Sequence, residues 1–453
     1  MSDITALTLT ETLKALESKD FSNEELNQAY LERIKKFNPG LNAYLLVNED
    51  SSGIPAAIKD TIITKGIKTT AASKILENFV PPYNATVMDK LMERGVSVIG
   101  KTNHDEFAMG GSGENSTFGS TKNPWDKTKV PGGSSSGSAV AVSADLCTFA
   151  LGSDTGGSIR QPASLCGVVG LKPTYGRVSR YGLIAMASSL DSIGPITKCV
   201  EDAALVLEWI AGSDGKDSNA SGEKFTMQPL RLQSVINALK VGVPKEYFGE
   251  GLDPKVRTVI QDAIKKLESL GAQIVEISLP HSKYALAAYY IIVPSEVSSN
   301  MARYTGIRYG SGRENLGPEV MRRIMLGTFA LSSGYYDAYF TKAAKVRTLV
   351  KQDFEKAFEK VDVIVGPVAP TTAWNLGEKI SDPLTMYLQD IYTISANLAG
   401  IPGLSVPCGF SEGLPVGLQI LGKQFDEETV LKVGFAYEQS TDWHKQKPVI
   451  ASD

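Results

Sequence analysis

The sequence has 453 residues, with 46 Lys or Arg against 50 Asp or Glu, so its formal net charge is −4 at pH 7. Hydrophobic residues make up 42% and charged residues 21%, which excludes a disordered or fibrous chain and is typical of a globular protein with one large or two medium domains. Because proteins that bind nucleic acid strongly are usually basic, we expect any contact with RNA to be local or supplied by a partner.

The cysteines and the N-terminus indicate a cellular compartment. No CxxC spacing occurs, so the four cysteines are predicted to be buried free thiols in a reducing compartment: Cys147, Cys166, Cys199 and Cys408. The N-terminal residues lack the charged and apolar regions of a signal peptide, and there is no run of about 18 apolar residues that would predict a membrane span. We therefore expect a cytoplasmic protein without membrane contact.

The first predicted elements are two short helices within residues 7–37. Apolar residues recur there at helical spacing, and Ser22 followed by Glu25 forms a capping box for the second helix. From about residue 54, short β-rich runs such as residues 96–99 and 147–151 alternate with Gly- and Ser-rich turns and helical stretches. This alternation predicts an α/β fold.

A polar stretch rich in Gly and Ser, residues 212–225, predicts a surface connection to the second half of the chain. A strand–helix–strand unit follows, in which Asp253 caps the helix, Pro254 takes its first position and Gly271 ends it. A last helix is predicted to begin near Asp426. The strands of this half are predicted at residues 240–243, 273–277, 362–365 and 403–407.

Three segments carry residues that acyl transfer from an amide requires. They are an apolar run ending in Lys59, the Gly- and Ser-rich residues 131–139, and the run 152–160 after a predicted strand. A lysine at the end of an apolar run is expected to be partly buried, which lowers its pKa toward that of a useful base. Ser158, at the end of a tight turn, is the predicted nucleophile.

The turn before Ser158 is suited to stabilising an oxyanion. The backbone N–H groups of Thr155, Gly156 and Gly157 can converge there, because glycine accepts positive φ and lets a substrate approach closely. Removing one such donor typically costs about 10²–10³ in rate, so the turn matters as much as the nucleophile.

Patterns typical of other kinds of active site are absent or incomplete. The three histidines, His104, His281 and His444, lie in no recognisable catalytic motif. A Gly-x-Ser-x-Gly pattern at 133–137 would make Ser135 an α/β-hydrolase nucleophile, but that fold also needs an acid and then a His later in the chain. The sequence contains no HExxH or paired CxxC motif, so no metal site is predicted. Taken singly, each Gly/Ser-rich segment is also compatible with a simple turn, and Lys59 with a solvated side chain.

Together these segments resemble the amidase signature family. The family's run Gly-[Thr/Ser]-Asp-x-Gly-Gly-Ser-[Ile/Val]-Arg-x-Pro matches residues 152–162, and the spacings between Lys59, Ser134 and Ser158 also agree. The resemblance implies a triad with Lys59 as the base, Ser134 as the bridging serine and Ser158 as the acyl nucleophile.

The same resemblance implies the fold. We expect one large α/β domain over residues 1–453, with a central mixed β-sheet covered by helices on both faces. Its catalytic core is expected at about 54–210 and the second part of the same domain at about 236–440.

Within the family, the chain is similar to the glutaminase subunits of tRNA-dependent amidotransferases, through the runs at 101–110, 323–336 and 397–403. This similarity implies hydrolysis of glutamine, with the ammonia used to convert Glu-tRNA(Gln) to Gln-tRNA(Gln). It also implies a heterotrimer. Its B subunit would use ATP and Mg²⁺ and bind most of the tRNA, and a small C subunit would hold the pair together, with no cofactor in this chain.

A glutamine pocket needs a cation for the α-carboxylate and an anion for the α-ammonium. By motif position, Arg323 is the candidate for the carboxylate and Asp390 for the ammonium, and Tyr289 is a further candidate for substrate binding. The alternative for the two charged residues is a structural ion pair or surface charge.

The chain departs from the family pattern at Ser136, where glycine is usual, and in the shorter stretches 38–54 and 310–318. Two other functions remain open: a free-standing amidase acting on another small amide, and a non-catalytic scaffold. The charges of Arg323 and Asp390 favour an amino-acid substrate, and the intact triad argues against a scaffold.

Overall fold

A computed structural model describes residues 3–226, 236–307 and 311–451 of the chain. Residue 310, at the start of the shortened stretch 310–318, lies outside the described residues. In this part of the chain, no helix is both long and apolar enough to cross a bilayer.

The described residues contain eleven strands that form a single sheet, in the order β1-β3-β2-β4-β6-β5-β10-β11-β9-β7-β8. The strands are β1 (Tyr44–Val47), β2 (Ile54–Lys59), β3 (Val96–Thr102), β4 (Phe149–Asp154), β5 (Val169–Lys172), β6 (Ser192–Thr197), β7 (Lys240–Pro244), β8 (Gln273–Ile277), β9 (Val363–Pro367), β10 (Gly403–Ser411) and β11 (Leu414–Leu421).

The sheet is mixed, as predicted. The strand β2 runs parallel to both β3 and β4, whereas the middle of the sheet, from β4 through β6, β5, β10 and β11 to β9, is antiparallel. The strands β7, β8 and β9 are again parallel. The two halves of the chain meet where β5 pairs with β10, with Leu171 opposite Leu404. One continuous sheet therefore joins both halves in a single domain.

Helices cover the sheet. Within the described ranges they are α1 (Leu9–Ser18), α2 (Asn23–Leu41), α3 (Thr86–Met92), α4 (Ser136–Ser143), α5 (Arg160–Cys166), α6 (Val200–Ile210), α7 (Pro254–Ser269), α8 (Ala285–Asn300), α9 (Pro318–Leu331), α10 (Lys342–Phe358), α11 (Pro383–Tyr387), α12 (Ile394–Ala399) and α13 (Glu427–Gln439).

Local capping explains where several helices begin. Ser22 and Glu25 form the predicted capping box of α2, with reciprocal bonds between each side chain and the other residue's backbone N–H. Asp253 accepts hydrogen bonds from the first N–H groups of α7, and Pro254 fits its first turn. Asp426 caps α13. The predicted ends of these helices are confirmed within a few residues.

Alternating residues of the central strands face two different hydrophobic cores. Ala57 and Ala150 pack with helices α2 and α4, whereas Ile58 and Leu151 pack with α3 and α6. A strand whose side chains are buried on both faces must be covered on both sides, and the fully buried β2 and β4 meet that condition. The predicted covering of the sheet by helices on both faces is therefore confirmed.

The polar connection at 212–225 contains no helix or strand beyond residue 212. It is nevertheless attached to the domain. The carboxylate of Asp214 accepts hydrogen bonds from the hydroxyls of Thr86 and Ser179, each at 2.5 Å, and Asp217 forms an ion pair with Arg180 at 2.7 Å.

Candidate active site

Lys59 is the last residue of β2 and its side chain is fully buried. Its Nζ atom lies 2.7 Å from the Oγ atom of Ser134, 3.0 Å from that of Ser135 and 3.0 Å from that of Ser153. Burial lowers the pKa of Lys59 from 10.5 to about 7, against the opposing pull of nearby carboxylates. A large fraction of this lysine is therefore neutral near pH 7 and able to accept a proton.

Ser134 lies in the loop that leads into α4. The peptide bond between Gly133 and Ser134 is cis, and Ser134 is fully buried. Gly132 has a φ of 83°, and a Cβ atom there would lie 2.5 Å from the Oε1 atom of Gln161. Only glycine combines this backbone conformation with so close an approach.

Ser158 lies in the turn between β4 and α5 and is half-buried. Its carbonyl oxygen accepts a hydrogen bond from the backbone N–H of Ser135 at 3.1 Å, which joins this turn to the Ser134 loop. Because β2 and β4 are parallel neighbours, Lys59 and the Ser158 turn follow the same end of the sheet. The structure thus brings the three predicted triad segments together. Lys59 and Ser134 are fully buried, and Ser158 is the most accessible of the three residues.

The turn at residues 155–157 is anchored by a buried ion pair. Asp154 and Arg160 are fully buried, with the Nε atom of Arg160 3.0 Å from Oδ2 of Asp154. Burial opposes ionisation of Asp154, but the Arg160 guanidinium overcomes it and holds the pKa of the carboxyl well below its ordinary value. The same carboxylate accepts a hydrogen bond from the N–H of Gly157 at 2.8 Å.

This bond changes the expected oxyanion donors. Since the N–H of Gly157 is already donated to Asp154, the predicted donors that remain are those of Thr155 and Gly156. The hydroxyl of Thr155 donates to Asp191 at 2.7 Å, and the carbonyl of Gly156 accepts from the Thr393 hydroxyl at 2.6 Å. Both bonds fix the orientation of this turn.

Tyr289, on α8, contacts the turn. A Cβ atom at Gly156 would lie 2.4 Å from the Tyr289 hydroxyl, so the ring lies directly against Gly156. The next residue, Tyr290, lines a cavity near this turn. Successive helical residues point about 100° apart, which explains why the neighbouring tyrosines reach different places. Tyr289, a predicted substrate-binding residue, therefore lies at the predicted oxyanion turn, and Tyr290 lines the cavity.

The cavity has a volume of about 340 Å³ and is lined by Arg323 and Asp390 together. Arg323 is buried, and its Nε atom donates to the Oε1 atom of Glu319 at 2.8 Å. Asp390 is half-buried and accepts a hydrogen bond from the hydroxyl of Tyr290 at 3.3 Å. Burial raises the pKa of Asp390 to about 7, although Arg323 and the Tyr290 bond oppose the shift.

Two stacked tyrosines form a wall of the cavity. The rings of Tyr290 and Tyr387 have centroids 3.8 Å apart, and the Arg323 guanidinium lies 5.5 Å and 5.7 Å from the two ring centroids. The Tyr387 hydroxyl donates to Glu319 at 2.9 Å. Arg323 is therefore held in place before a ligand binds.

Thr393 joins the cavity to the predicted oxyanion turn. Its hydroxyl oxygen lies 2.6 Å from the carbonyl of Gly156 and 3.0 Å from the carbonyl of Asp390. One hydroxyl therefore links the backbone of Asp390 to the turn that precedes Ser158.

The sequence patterns do not mark several residues of this site. Glu319 lies four residues before Arg323 on α9, a spacing that places the two on one helix face and could have indicated the pair. Ser135 and Ser153 contact Lys59. No local sequence signal marks either contact, because each depends on how the loop and β4 pack against β2.

Ser136, which departs from the family pattern, is the first residue of α4. Its hydroxyl lies 3.3 Å from the carbonyl of Asn103 and 3.2 Å from the Thr121 hydroxyl. A helical position does not require glycine, so the serine is accommodated.

In the part of the chain that the structure describes, no histidine hydrogen-bonds to Ser134, Ser135 or Ser158. His104 is buried with its Nδ1 atom 2.7 Å from the carbonyl of Asp105, and His281 pairs with Asp353. Ser135 instead donates to the carbonyl of Ser153 at 3.1 Å, which disfavours its role as an α/β-hydrolase nucleophile. The described residues also include no group of three or more His, Cys, Asp or Glu that could hold a metal ion.

Comparisons with known proteins agree on one family. The family model described as Amidase matches residues 25–431. The A subunit of glutamyl-tRNA(Gln) amidotransferase from Thermoanaerobacter pseudethanolicus is 54% identical over an alignment of 483 positions, which covers 99% of each chain. The same protein from Thermodesulfovibrio yellowstonii is 63% identical over 414 residues, 88% of this chain and 86% of that one. The crystal structure of the A subunit from Thermotoga maritima has a TM-score of 0.89 and 47% identity, covering 100% of this chain and 99% of that one. The chain therefore belongs to the amidase family.

Proposed function

We propose that this chain is the glutaminase subunit of a tRNA-dependent amidotransferase. In that role it hydrolyses glutamine and supplies ammonia for the conversion of Glu-tRNA(Gln) to Gln-tRNA(Gln). The observation that carries the proposal is the presence of Arg323 and Asp390 in one cavity beside the Ser158 turn. It is supported by two relatives that bear the name of this subunit and are 54% and 63% identical to the chain over most of their length.

The proposed mechanism begins with neutral Lys59. Its amine accepts the proton of Ser134, which in turn accepts the proton of Ser158. The Ser158 oxygen then attacks the amide carbon of glutamine, and the N–H groups of Thr155 and Gly156 stabilise the oxyanion. When the tetrahedral intermediate collapses, the relay returns the proton to the departing nitrogen. Ammonia leaves, and a glutamyl ester remains on Ser158.

Water completes the cycle. It attacks the ester carbon while the relay accepts its proton, and glutamate leaves as Ser158 recovers its hydroxyl. The net reaction consumes glutamine and water and yields glutamate and ammonia. Lys59 ends in the protonation state in which it began.

The cavity supplies substrate recognition. We assign the α-carboxylate of glutamine to Arg323 and the α-ammonium to Asp390, because a charge-assisted pair at each end fixes an amino acid in one direction. The side-chain amide would then extend toward Thr393 and Gly156, where Tyr289 also lies.

The partners proposed are the B and C subunits of the amidotransferase, in a heterotrimer. ATP and Mg²⁺ are assigned to the B subunit, which would activate the glutamyl group, and the tRNA would be bound mainly through that partner. A net charge of −4 is consistent with a chain that does not itself provide the main tRNA surface. We place the assembly in the cytoplasm, with protein synthesis.

Co-expression with candidate B and C subunits tests the proposal. The complex should release ammonia from glutamine, and Ser158→Ala should lower that rate by about 10³-fold or more. Ser164→Ala provides a matched control, since this buried serine of α5 accepts a bond from the N–H of Gly417 and contacts no triad residue. Unchanged ammonia release in Ser158→Ala would overturn the assignment. If the complex hydrolyses simple amides but not glutamine, the chain is an amidase for another substrate.

A further inference from the structure

Gln161, the second residue of α5, is fully buried and joins two loops of the active site. Its Oε1 atom accepts a hydrogen bond from the N–H of Gly133 at 2.9 Å, and its Nε2 atom donates to the carbonyl of Gly111 at 2.9 Å. Both bonds can form only in this orientation of the carboxamide. No ionised carboxylate and no aliphatic side chain of the same size could make the two bonds together.

Each bond of Gln161 reaches a different part of the site. Gly133 precedes Ser134, the proposed bridging serine. Gly111 lines the cavity, and a Cβ atom placed on it would lie 3.7 Å from Asp390 and 3.6 Å from the Nε2 atom of Gln161. The carboxamide therefore lies between the proton relay and the wall beside the proposed ammonium ligand.

The backbone of Gln161 completes the connection. Its N–H donates to the carbonyl of Gly157 at 2.8 Å, within the turn that leads to Ser158. One residue thus touches the loop before Ser134, the turn before Ser158 and the cavity wall.

We infer that Gln161 is a positioning residue that couples the glutamine cavity to the Ser134–Ser158 relay. The inference rests on the proposed function. One arm, to Gly111, fixes the wall against which the amino-acid end of glutamine binds. The other arm, to Gly133, fixes the loop that presents Ser134 to Lys59.

The two arms can be broken separately. When ionised, the side chain of Gln161→Glu keeps an acceptor for the Gly133 N–H but places a carboxylate oxygen against the Gly111 carbonyl. Gln161→Met has a similar volume and removes both bonds. Asn123→Asp is the matched control, because Asn123 is also a fully buried carboxamide that donates to two carbonyls, one of them on α5 at Leu165.

The test uses the full chain in complex with its partner subunits. Glutamine hydrolysis gives kcat and KM, and the rate of Ser158 labelling by a small fluorophosphonate reports the relay without the cavity. At pH 9, where the introduced glutamate is ionised, Gln161→Glu should raise KM for glutamine about tenfold and leave the labelling rate within about twofold of the wild type, because only the Gly111 arm is broken. Gln161→Met should also slow labelling and lower kcat. Asn123→Asp should lower the melting temperature without changing KM or labelling.

The outcomes separate the two claims. If both Gln161 variants change only the melting temperature, as Asn123→Asp does, Gln161 is a structural residue and the inference is wrong. Equal losses of kcat and labelling, with KM unchanged, would also overturn the coupling to the cavity. If Ser158→Ala hydrolyses glutamine normally, the proposed function fails, whatever the Gln161 variants do.

Discussion

The Nζ atom of Lys59 lies 2.7 Å from the Oγ atom of Ser134, and both side chains are fully buried. The ammonium of Lys59 has three hydroxyl groups as hydrogen-bond partners, and a hydroxyl stabilises an ammonium less than a carboxylate does. The free energy of desolvation therefore dominates and lowers the pKa of Lys59 to about 7. A base with a pKa near the working pH is well matched to proton transfer.

The first prediction follows from this pKa. Only neutral Lys59 can accept the Ser134 proton, so kcat for glutamine hydrolysis should rise with pH and level off above about pH 8. Below pH 7, kcat should fall about tenfold for each pH unit, because the lysine becomes charged. The measurement is kcat between pH 5 and 9, with the melting temperature followed over the same range as a control for unfolding. A flat profile from pH 9 to pH 5 would contradict the role of Lys59.

The second prediction concerns Arg323. Replacing it with methionine should raise KM for glutamine by about 10- to 100-fold, because a buried charge-assisted bond to the α-carboxylate is lost. The rate with a small amide that lacks the α-carboxylate should change little. Arg303→Met is the control, since Arg303 is exposed and bonds to Asn300. An equal loss with both substrates would indicate that Arg323 supports the fold rather than the ligand.

Sequence analysis predicted the features that are encoded locally. The capping box of Ser22 and Glu25 and the pair Asp253 and Pro254 fixed helix ends, because a cap needs only residues three or four positions apart. Lys59 and Ser158 were proposed from their local runs, whereas the bridging role of Ser134 was proposed only through the resemblance to the amidase signature family.

Long-range packing could not be predicted in the same way. No local pattern specifies that β5 pairs with β10, whose residues are more than 230 positions away in the chain. Nor could the sequence show that the Gly156 carbonyl accepts a bond from the Thr393 hydroxyl, because the two residues are 237 positions apart. Tyr289 and Tyr290 are neighbours on α8, and successive helical side chains point about 100° apart, so the sequence alone could not show which of the two lines the cavity.

The third prediction concerns Gly156 and Tyr289. A methyl group at Gly156 would lie 2.4 Å from the Tyr289 hydroxyl, so Gly156→Ala must displace the turn or the tyrosine. If the turn moves, its N–H groups no longer point to the oxyanion, and kcat should fall by about 10²–10³. The measurement is kcat for glutamine.

Gly222→Ala is the matched control, because a Cβ atom there would meet none of the described residues within 4 Å. A second variant combines Gly156→Ala with Tyr289→Leu, which removes the hydroxyl that blocks the methyl group. It should recover part of the lost kcat. Wild-type kcat in Gly156→Ala alone would show that this turn does not supply the oxyanion donors.

The fourth prediction concerns the stability of the turn. Asp154→Asn leaves the fully buried Arg160 guanidinium without a counter-charge, and removing one partner of a buried pair typically costs about 3–5 kcal/mol of the free energy of unfolding. The pKa of Asp154 is held below its ordinary value of 3.8, so its carboxylate contributes stability above that pH and loses the contribution only as the pH falls below it. The destabilisation should therefore be the same at pH 7 and pH 5, as measured by denaturant unfolding. Asp442→Asn, which breaks an exposed pair with Lys445, should leave the unfolding midpoint unchanged. A loss in Asp154→Asn no larger than in that control would show that Arg160 is stabilised by its bonds to Thr393, Asn397 and Gln419 instead.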